Sequence, residues 1–297
     1  MSESFKGQLL CSLAMLLVGS TVVVSKVIGQ DVEPFLATAL RHALALPVFV
    51  VLMLWTGSRF GQINRCDAAL LLVQAAAGSV GYSVLLIQGV TWSSASDAGI
   101  VAGTLPAVCA VFAAVFLGER PGVRLAVAIA LASAGVMTVA VAPDTSAESV
   151  TRLRGLALVL AAIVCEAVFI LANKHLSRPM PAPALSTLMC AGGLLLSALP
   201  AWFAASKSHS LLTTPALLGI VYYAWVPTVG GFLLWYAGSA KTSSTRASLA
   251  TVWLPVSALI LSAIFLHEPI RDWQWIGLAC VVLAMVLASS AASPSKR

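Results

Sequence analysis

The chain has 297 residues, 60% hydrophobic and 9% charged, with a net charge of +6 and a mean hydropathy of +0.97. Soluble domains hold about 45–50% apolar and about 25% charged residues, so a water-soluble core is excluded and most side chains must meet lipid. The positive balance is accounted for by basic residues between apolar runs and gives no sign of a nucleic-acid partner.

Ten spans are predicted, at 7–28, 34–55, 68–90, 95–117, 124–142, 154–176, 183–205, 214–237, 242–266 and 272–290. Each meets the length of about 20 residues that crosses the hydrocarbon. Span 1 follows Lys6 as a signal peptide would. It is long, lacks an A-x-A cleavage site and is followed by nine more spans, so it reads as a retained helix. At 100° per residue, Gln8, Ser12, Met15, Gly19 and Lys26 fall on one face of it. Span 2 carries Arg41 about seven residues in. Span 3 gathers Gln74, Gly78, Gly81, Tyr82 and Gln88 in one sector. Span 4 holds Pro106 near its middle, and span 6 holds Glu166 about twelve residues in. Span 8 has a weak point at Pro227, Thr228, Gly230 and Gly231. Span 9 lines up Ser244, Ser248, Thr251, Pro255 and Ser262, with Trp253 on another face.

Three polar stripes in one chain favour a shared polar interior, although small and polar faces also pack helix against helix. A charge at a helix centre costs about 2.5–3.5 kcal/mol on insertion scales, so Glu166 must face protein or water. A cation or a proton would stabilise it there, which allows contact with a substrate ammonium, proton exchange, or a structural pair with Arg41. Lys26 either faces the interior or snorkels to the interface. Trp55, Trp92, Trp202, Trp273 and Trp275 fall near span ends as an interfacial belt. Tyr82, Trp225, Trp235 and Trp253 lie deeper and could stack on a solute or pack.

Basic residues set the orientation. With the N-terminus in the cytoplasm, inner segments hold eleven of them: Lys6, Arg59, Arg65, Arg120, Arg124, Lys174, Arg178, Lys241, Arg246, Lys296 and Arg297. Outer segments hold five: Lys26, Arg152, Arg154, Lys207 and Arg271. The bias places both termini inside.

An internal repeat organises the chain. Shifting residues 242–271 back by 149 lays them on 93–122 without a gap. Ser94/Ser243, Ala98/Ala247, Leu105/Leu254, Pro106/Pro255, Ala114/Ala263, Phe116/Phe265, Leu117/Leu266 and Glu119/Glu268 then match, and Gly81/Gly230 and Gly89/Gly238 share the offset. The halves, 1–142 and 154–290, hold five spans each. Five is odd, so the second half enters the membrane upside down, the architecture used for alternating access. Pro106 and Pro255 each remove a helical donor near the midplane, from the carbonyls of Ala102 and Thr251. They read as packing kinks or as hinges, with Pro227 a third. Glu119 and Glu268 close their spans and are expected to pair with neighbours such as Arg120 and Arg271.

The ordered set "GYSVLLIQGVTWSSASDAGIVAGTLPAVCAVFAAVFLGERP", its partner "LLWYAGSAKTSSTRASLATVWLPVSALILSAIFLHEP", and the earlier "GSTVVVSK" and "ATALRHALA" resemble the paired EamA domains of the drug/metabolite transporter superfamily. "FLHEPIR" departs from that pattern in lacking a glycine before the glutamate. The resemblance covers essentially the whole chain. It implies an all-α, ten-helix carrier of the bacterial inner membrane with a central cavity, exporting amino acids or other small metabolites. Nucleosides, polyamines and drug-like cations are the alternative substrates, and a channel-like facilitator the alternative mode.

The expected partners are a small-molecule substrate and the lipid bilayer, with monomer and homodimer both open. No cofactor or metal is expected. Cys11, Cys66, Cys109, Cys165, Cys190 and Cys280 lack C-x-x-C spacing, His42, His175, His209 and His267 are scattered, and no H-E-x-x-H or G-x-S-x-G occurs, which argues against an enzyme. No P-loop is present for an ATP-driven pump. Substrate contact is expected from Gln8, Ser12, Lys26, Arg41, Gln74, Gly78, Tyr82, Glu166, Ser244, Ser248 and Trp253.

Overall fold

The structure, a computed structural model, describes residues 3–116, 122–141, 149–178, 180–207, 212–242, 247 and 249–291. All regular structure among the described residues is helical. Helix α1 (Glu3–Asp31) runs 29 residues, about 43 Å at about 1.5 Å per residue, enough to cross about 30 Å of hydrocarbon. Helix α2 (Pro34–Trp55) starts where the Glu33 carboxylate accepts the Leu36 N–H and Pro34 sets the first turn. Eight stretches are long and apolar enough to cross a membrane, and two further apolar helices, Trp253–Phe265 and Asp272–Ala288, are shorter. The chain is thus a polytopic helical membrane protein.

The third stretch is not one regular helix. Helix α3 (Arg65–Gln74), capped by Asn64, passes into a π-helical turn at Ala75–Gly81 and then into α4 (Tyr82–Trp92). The eighth repeats this pattern: α10 (Thr214–Tyr223), a π-helical turn at Ala224–Gly230, and α11 (Gly231–Ser239). The two π turns stand 149 residues apart at both ends. In the second, Pro227 offers no N–H to the Tyr223 carbonyl, and the Thr228 hydroxyl donates to it instead at 2.8 Å.

Span 4 breaks at Gly103 and Thr104, between α5 (Ala95–Ala102) and α6 (Leu105–Phe116). Span 9 turns at Thr251 and Val252 before α12 (Trp253–Phe265). This corrects the reading of two helices kinked at proline. Pro106 and Pro255 stand in first turns, where a missing N–H breaks no helical bond. The Thr251 carbonyl is not left free either, because it accepts the Leu254 N–H at 3.0 Å.

The remaining helices are α7 (Val123–Ala140), α8 (Ser149–Lys174), α9 (Ala182–Lys207) and α13 (Asp272–Ala291). Helix α2 packs on α9, α7 on α13, α4 on α8, and α1 on α11 and α12. Glycine permits the closest crossings. Gly89 meets Gly155, Gly7 meets Gly238 and Gly135 meets Gly277, each with backbone where a β-carbon would stand. The largest core cluster joins Val22, Leu86, Val159, Leu259 and Val281 from five spans.

Candidate functional site

Arg41, in the second turn of α2, is 8% exposed. Its terminal NH2 nitrogen donates to the Ser83 hydroxyl at 2.7 Å, to the Ser79 carbonyl of the first π turn at 3.3 Å, and to His42 Nε2 at 3.1 Å. The imidazole is fixed from its far side. His42 Nδ1 lies 2.8 Å from the Thr38 carbonyl, which can only accept; Nδ1 therefore carries the proton and Nε2 is free to accept from Arg41. Gly193 makes room for that ring, since a β-carbon there would come within 2.6 Å of Nε2. The guanidinium carbon sits 4.6 Å from the centroid of the Tyr223 ring, a cation–π contact.

All of these partners are neutral. Glu166, on α8, and Tyr82, at the start of α4, complete the cluster, both within electrostatic reach of Arg41. No cation lies within 4.0 Å of the Glu166 carboxylate among the described residues. Tyr82 packs against the cluster of Ala102, Ile163 and Leu254, from three different spans, yet it and Glu166 stay partly accessible.

The structure brings Arg41, Tyr82 and Glu166 together and places the other predicted residues elsewhere. Gln8 and Ser12 lie half-buried on the N-terminal half of α1. Gln74 is fully buried, with neither amide atom hydrogen-bonded. Gly78 is closed over by the Phe169 ring, which a β-carbon would approach to 2.5 Å. Trp253 is 45% exposed on the outside of the bundle's core clusters. Ser244 and Ser248 lie outside the described residues. His42, Ser83 and Tyr223 were not singled out from sequence; a polar run of Ser79 and Ser83, one helical turn apart on the span opposite Arg41, is the signal that could have found them.

Lys26 is engaged at one end of the bundle. Its ammonium donates to the carbonyls of Val90 and Thr91 at 2.7 and 3.3 Å and to that of Ser93, so it caps the C-terminus of α4, where the helix dipole favours a cation. Beside it, the Glu268 carboxylate accepts the N–H groups of Ala95 and Ser96, both at 2.9 Å, and the Ser96 hydroxyl at 2.7 Å. Glu268 thus holds the N-terminus of α5 rather than pairing with Arg271, which stacks on Trp273. Asp97, 2% exposed, accepts Arg152 Nε and NH2 on one oxygen at 3.0 and 2.8 Å and Gln274 Nε2 on the other at 2.7 Å. These groups border a polar cavity of about 270 Å³. Glu119 and Arg120 lie outside the described residues. At the other end, the Asp67 carboxylate accepts the Ser177 N–H and hydroxyl at 2.9 and 3.0 Å.

Arg41 and Glu166 thus stand among apolar helices, and no metal-binding cluster occurs among the described residues. Comparison with known proteins identifies the family. The chain is 34% identical over 271 residues to the uncharacterized transporter YetK of Bacillus subtilis, covering 91% of this chain and 82% of that one. It is 29% identical over 206 residues to a probable terminal-alkyne amino-acid exporter of Streptantibioticus cattleyicolor, covering 68% and 66%. A solved crystal structure superposes with a TM-score of 0.63 over 95% of this chain and 96% of that one, at 21% identity, a likeness of fold. The profile of the EamA-like transporter family matches residues 5–141 and 153–290. With nearly the whole length matched, the chain belongs to the EamA-like transporter family: it is a multi-pass membrane transporter and not an enzyme.

Proposed function

We propose that this transporter is a secondary carrier exporting amino acids by alternating access, with the Arg41, Tyr82 and Glu166 cluster as its substrate site. One observation carries the reading: a cation and a carboxylate are held at mid-bundle, acting on each other without an ion pair. Unlike buried charges normally close on each other. Held apart, they match the two ends of a zwitterion, the carboxylate toward Arg41 and the ammonium toward Glu166. The relative named as a probable amino-acid exporter supports the same class. Gln8 and Ser12 on α1 belong to the approach.

The architecture we propose for it is ten spans in two inverted halves, 1–142 and 154–290, in a bacterial inner membrane with both termini cytoplasmic. The 149-residue spacing of the π turns supports this, with the breaks in spans 4 and 9 one residue short of it at 148, as does the exchanged packing of span 3 on span 6 and span 8 on span 1.

The test is counterflow in proteoliposomes. A preloaded amino acid is expected to accelerate uptake of its labelled form, and Glu166→Gln to lower apparent affinity even in downhill exchange. Exchange that survives while pH-driven accumulation fails would make Glu166 a proton carrier instead. Poor folding rescued by adding Arg41→Gln would make the two a structural pair. Counterflow with nucleosides, polyamines or drug-like cations and none with amino acids would move the substrate class. Uptake without saturation or counterflow would mark a channel-like facilitator.

A further inference from the structure

The polar cavity at the Lys26 end is walled by residues of spans 1, 4, 6 and 10 and of the turns that join spans 3 to 4 and 9 to 10. Walls from that many spans set it within the end face of the bundle, away from the perimeter that lipid covers. Its volume of about 270 Å³ falls just below the range of about 300–1,000 Å³ typical of pockets for drug-sized molecules, which suits a smaller solute.

The hydrogen-bonding groups around this cavity are unevenly spent. Every carboxylate oxygen is engaged: Glu268 Oε1 by the Ala95 N–H, Oε2 by the N–H and hydroxyl of Ser96, Asp97 Oδ1 by Gln274, and Oδ2 by Arg152. Lys26 directs its ammonium at three carbonyls, one for each of its hydrogens. What is left over is donors. Arg271 is exposed, and its guanidinium makes no hydrogen bond or ion pair among the described residues; it lies over the Trp273 ring, 5.1 Å from the centroid. Arg152 commits Nε and Nη2 to Asp97 and Val139, while its Nη1 has no partner among the described residues. The Trp273 indole N–H is buried in the same wall without an acceptor. Three cationic side chains face two carboxylates in the lining, so its net charge is positive.

We infer that this cavity is a second binding site, for a small carboxylate, with the Arg271 guanidinium as its principal donor. A guanidinium recognises a carboxylate through paired N–H bonds. Stacking on Trp273 fixes its plane in advance, so less freedom is lost on binding. Asp97 and Glu268 do not oppose an anion here, since Arg152 compensates the first and the N–H groups that open α5 compensate the second. A cation, by contrast, would meet three like charges and no unengaged carboxylate oxygen. The inference goes beyond the substrate reading above, because neither Arg41 nor Glu166 lines this cavity.

The test uses the full chain in phosphatidylcholine nanodiscs, with its native cysteines replaced and Pro269→Cys, an exposed position in the lining, as reporter. The rate of its reaction with a neutral methanethiosulfonate is read against added lactate. Lactate is expected to slow the reaction severalfold, while lactamide, which lacks the charge, and sodium chloride at matched ionic strength leave it unchanged. Arg271→Gln, which removes no hydrogen bond of the fold, is expected to raise the half-protecting lactate concentration about tenfold; Arg271→Lys, which keeps the charge and loses the paired donors, is expected to raise it less. No protection by lactate, equal protection by lactamide or salt, or protection indifferent to Arg271→Gln would each overturn the site. Lipid phosphate shares the oxyanion chemistry: protection by phosphatidylglycerol in the nanodisc that lactate cannot add to would make a headgroup the occupant and overturn the solute reading. Protection is read without transport, so a failure of counterflow would strike the carrier reading and not this one.

Discussion

Gly89 and Gly155 meet backbone to backbone: a β-carbon on Gly89 would stand 2.8 Å from the Gly155 carbonyl oxygen, and one on Gly155 2.7 Å from that of Gly89. Gly7 and Gly238 form the same contact between spans 1 and 8, at 2.8 Å in both directions. Carbonyl oxygens in helices cannot rotate away, so a larger residue must push the helices apart. Gly89→Leu and Gly238→Leu are each expected to cost about 1–3 kcal/mol, read as lowered thermal unfolding in detergent. Gly122→Ala, with nothing within 4 Å of its added carbon, is the control and is expected to leave unfolding unchanged.

Gln74 buries an amide whose oxygen and nitrogen both lack a protein partner. Desolvating such a group without a hydrogen bond costs about 1–3 kcal/mol. Replacing it with an apolar residue of similar size removes that penalty, so Gln74→Leu is expected to raise the unfolding temperature. A fall would show that a water molecule satisfies the amide.

Pro227 and Thr228 work as a pair. The hydroxyl supplies the donor that the proline withholds from Tyr223, so Thr228→Val alone is expected to cost about 1 kcal/mol, the net value of one hydrogen bond. In Pro227→Ala the backbone N–H returns and Thr228→Val should then cost less. A double-mutant cycle on thermal unfolding reads the coupling directly; strict additivity would mean that the hydroxyl serves something else.

Orientation is open to a simple measurement. Cysteines placed at the exposed residues Gln30 and Arg154 are expected to react with an impermeant thiol reagent from outside, and those at Arg65 and Arg178 after permeabilisation. Reaction of all four from one side would defeat the inverted arrangement.

Much of this molecule is legible in its sequence because lipid leaves few choices. Apolar runs long enough to cross it had to be helices, and the Pro106/Pro255 and Glu119/Glu268 pairs exposed the repeat. Arg41 and Glu166 were found by the cost of burying charge. Asp97 escaped because it stands at a predicted span end, where a carboxylate is cheap, three residues after a Ser94 cap whose hydroxyl accepts its N–H at 3.0 Å. Arg152 escaped because span 6 was begun at 154, whereas α8 begins at Ser149 and carries the arginine within it. Lys26 was assigned by the face it shares with Gln8 and Ser12, but a long flexible side chain goes where carbonyls are unspent, and the end of α4 offers three.

The π turns have a consequence in azimuth. An α-helix advances about 100° per residue, and a π turn, with its wider loop, shifts the phase of everything beyond it. A single straight projection through Gln74–Gln88 therefore assigns the far half to the wrong compass bearing, which is why Gln74 and Tyr82, aligned on paper, part company in the fold. The same phase shift lets one span serve two partners, showing Ser79 and Ser83 to Arg41 on one bearing and Gly89 to Gly155 on another. Deleting one residue from Ala75–Gly81 would remove the extra residue that the i→i+5 turn takes up, leaving Gly89 close to its bearing on an otherwise α-helical span.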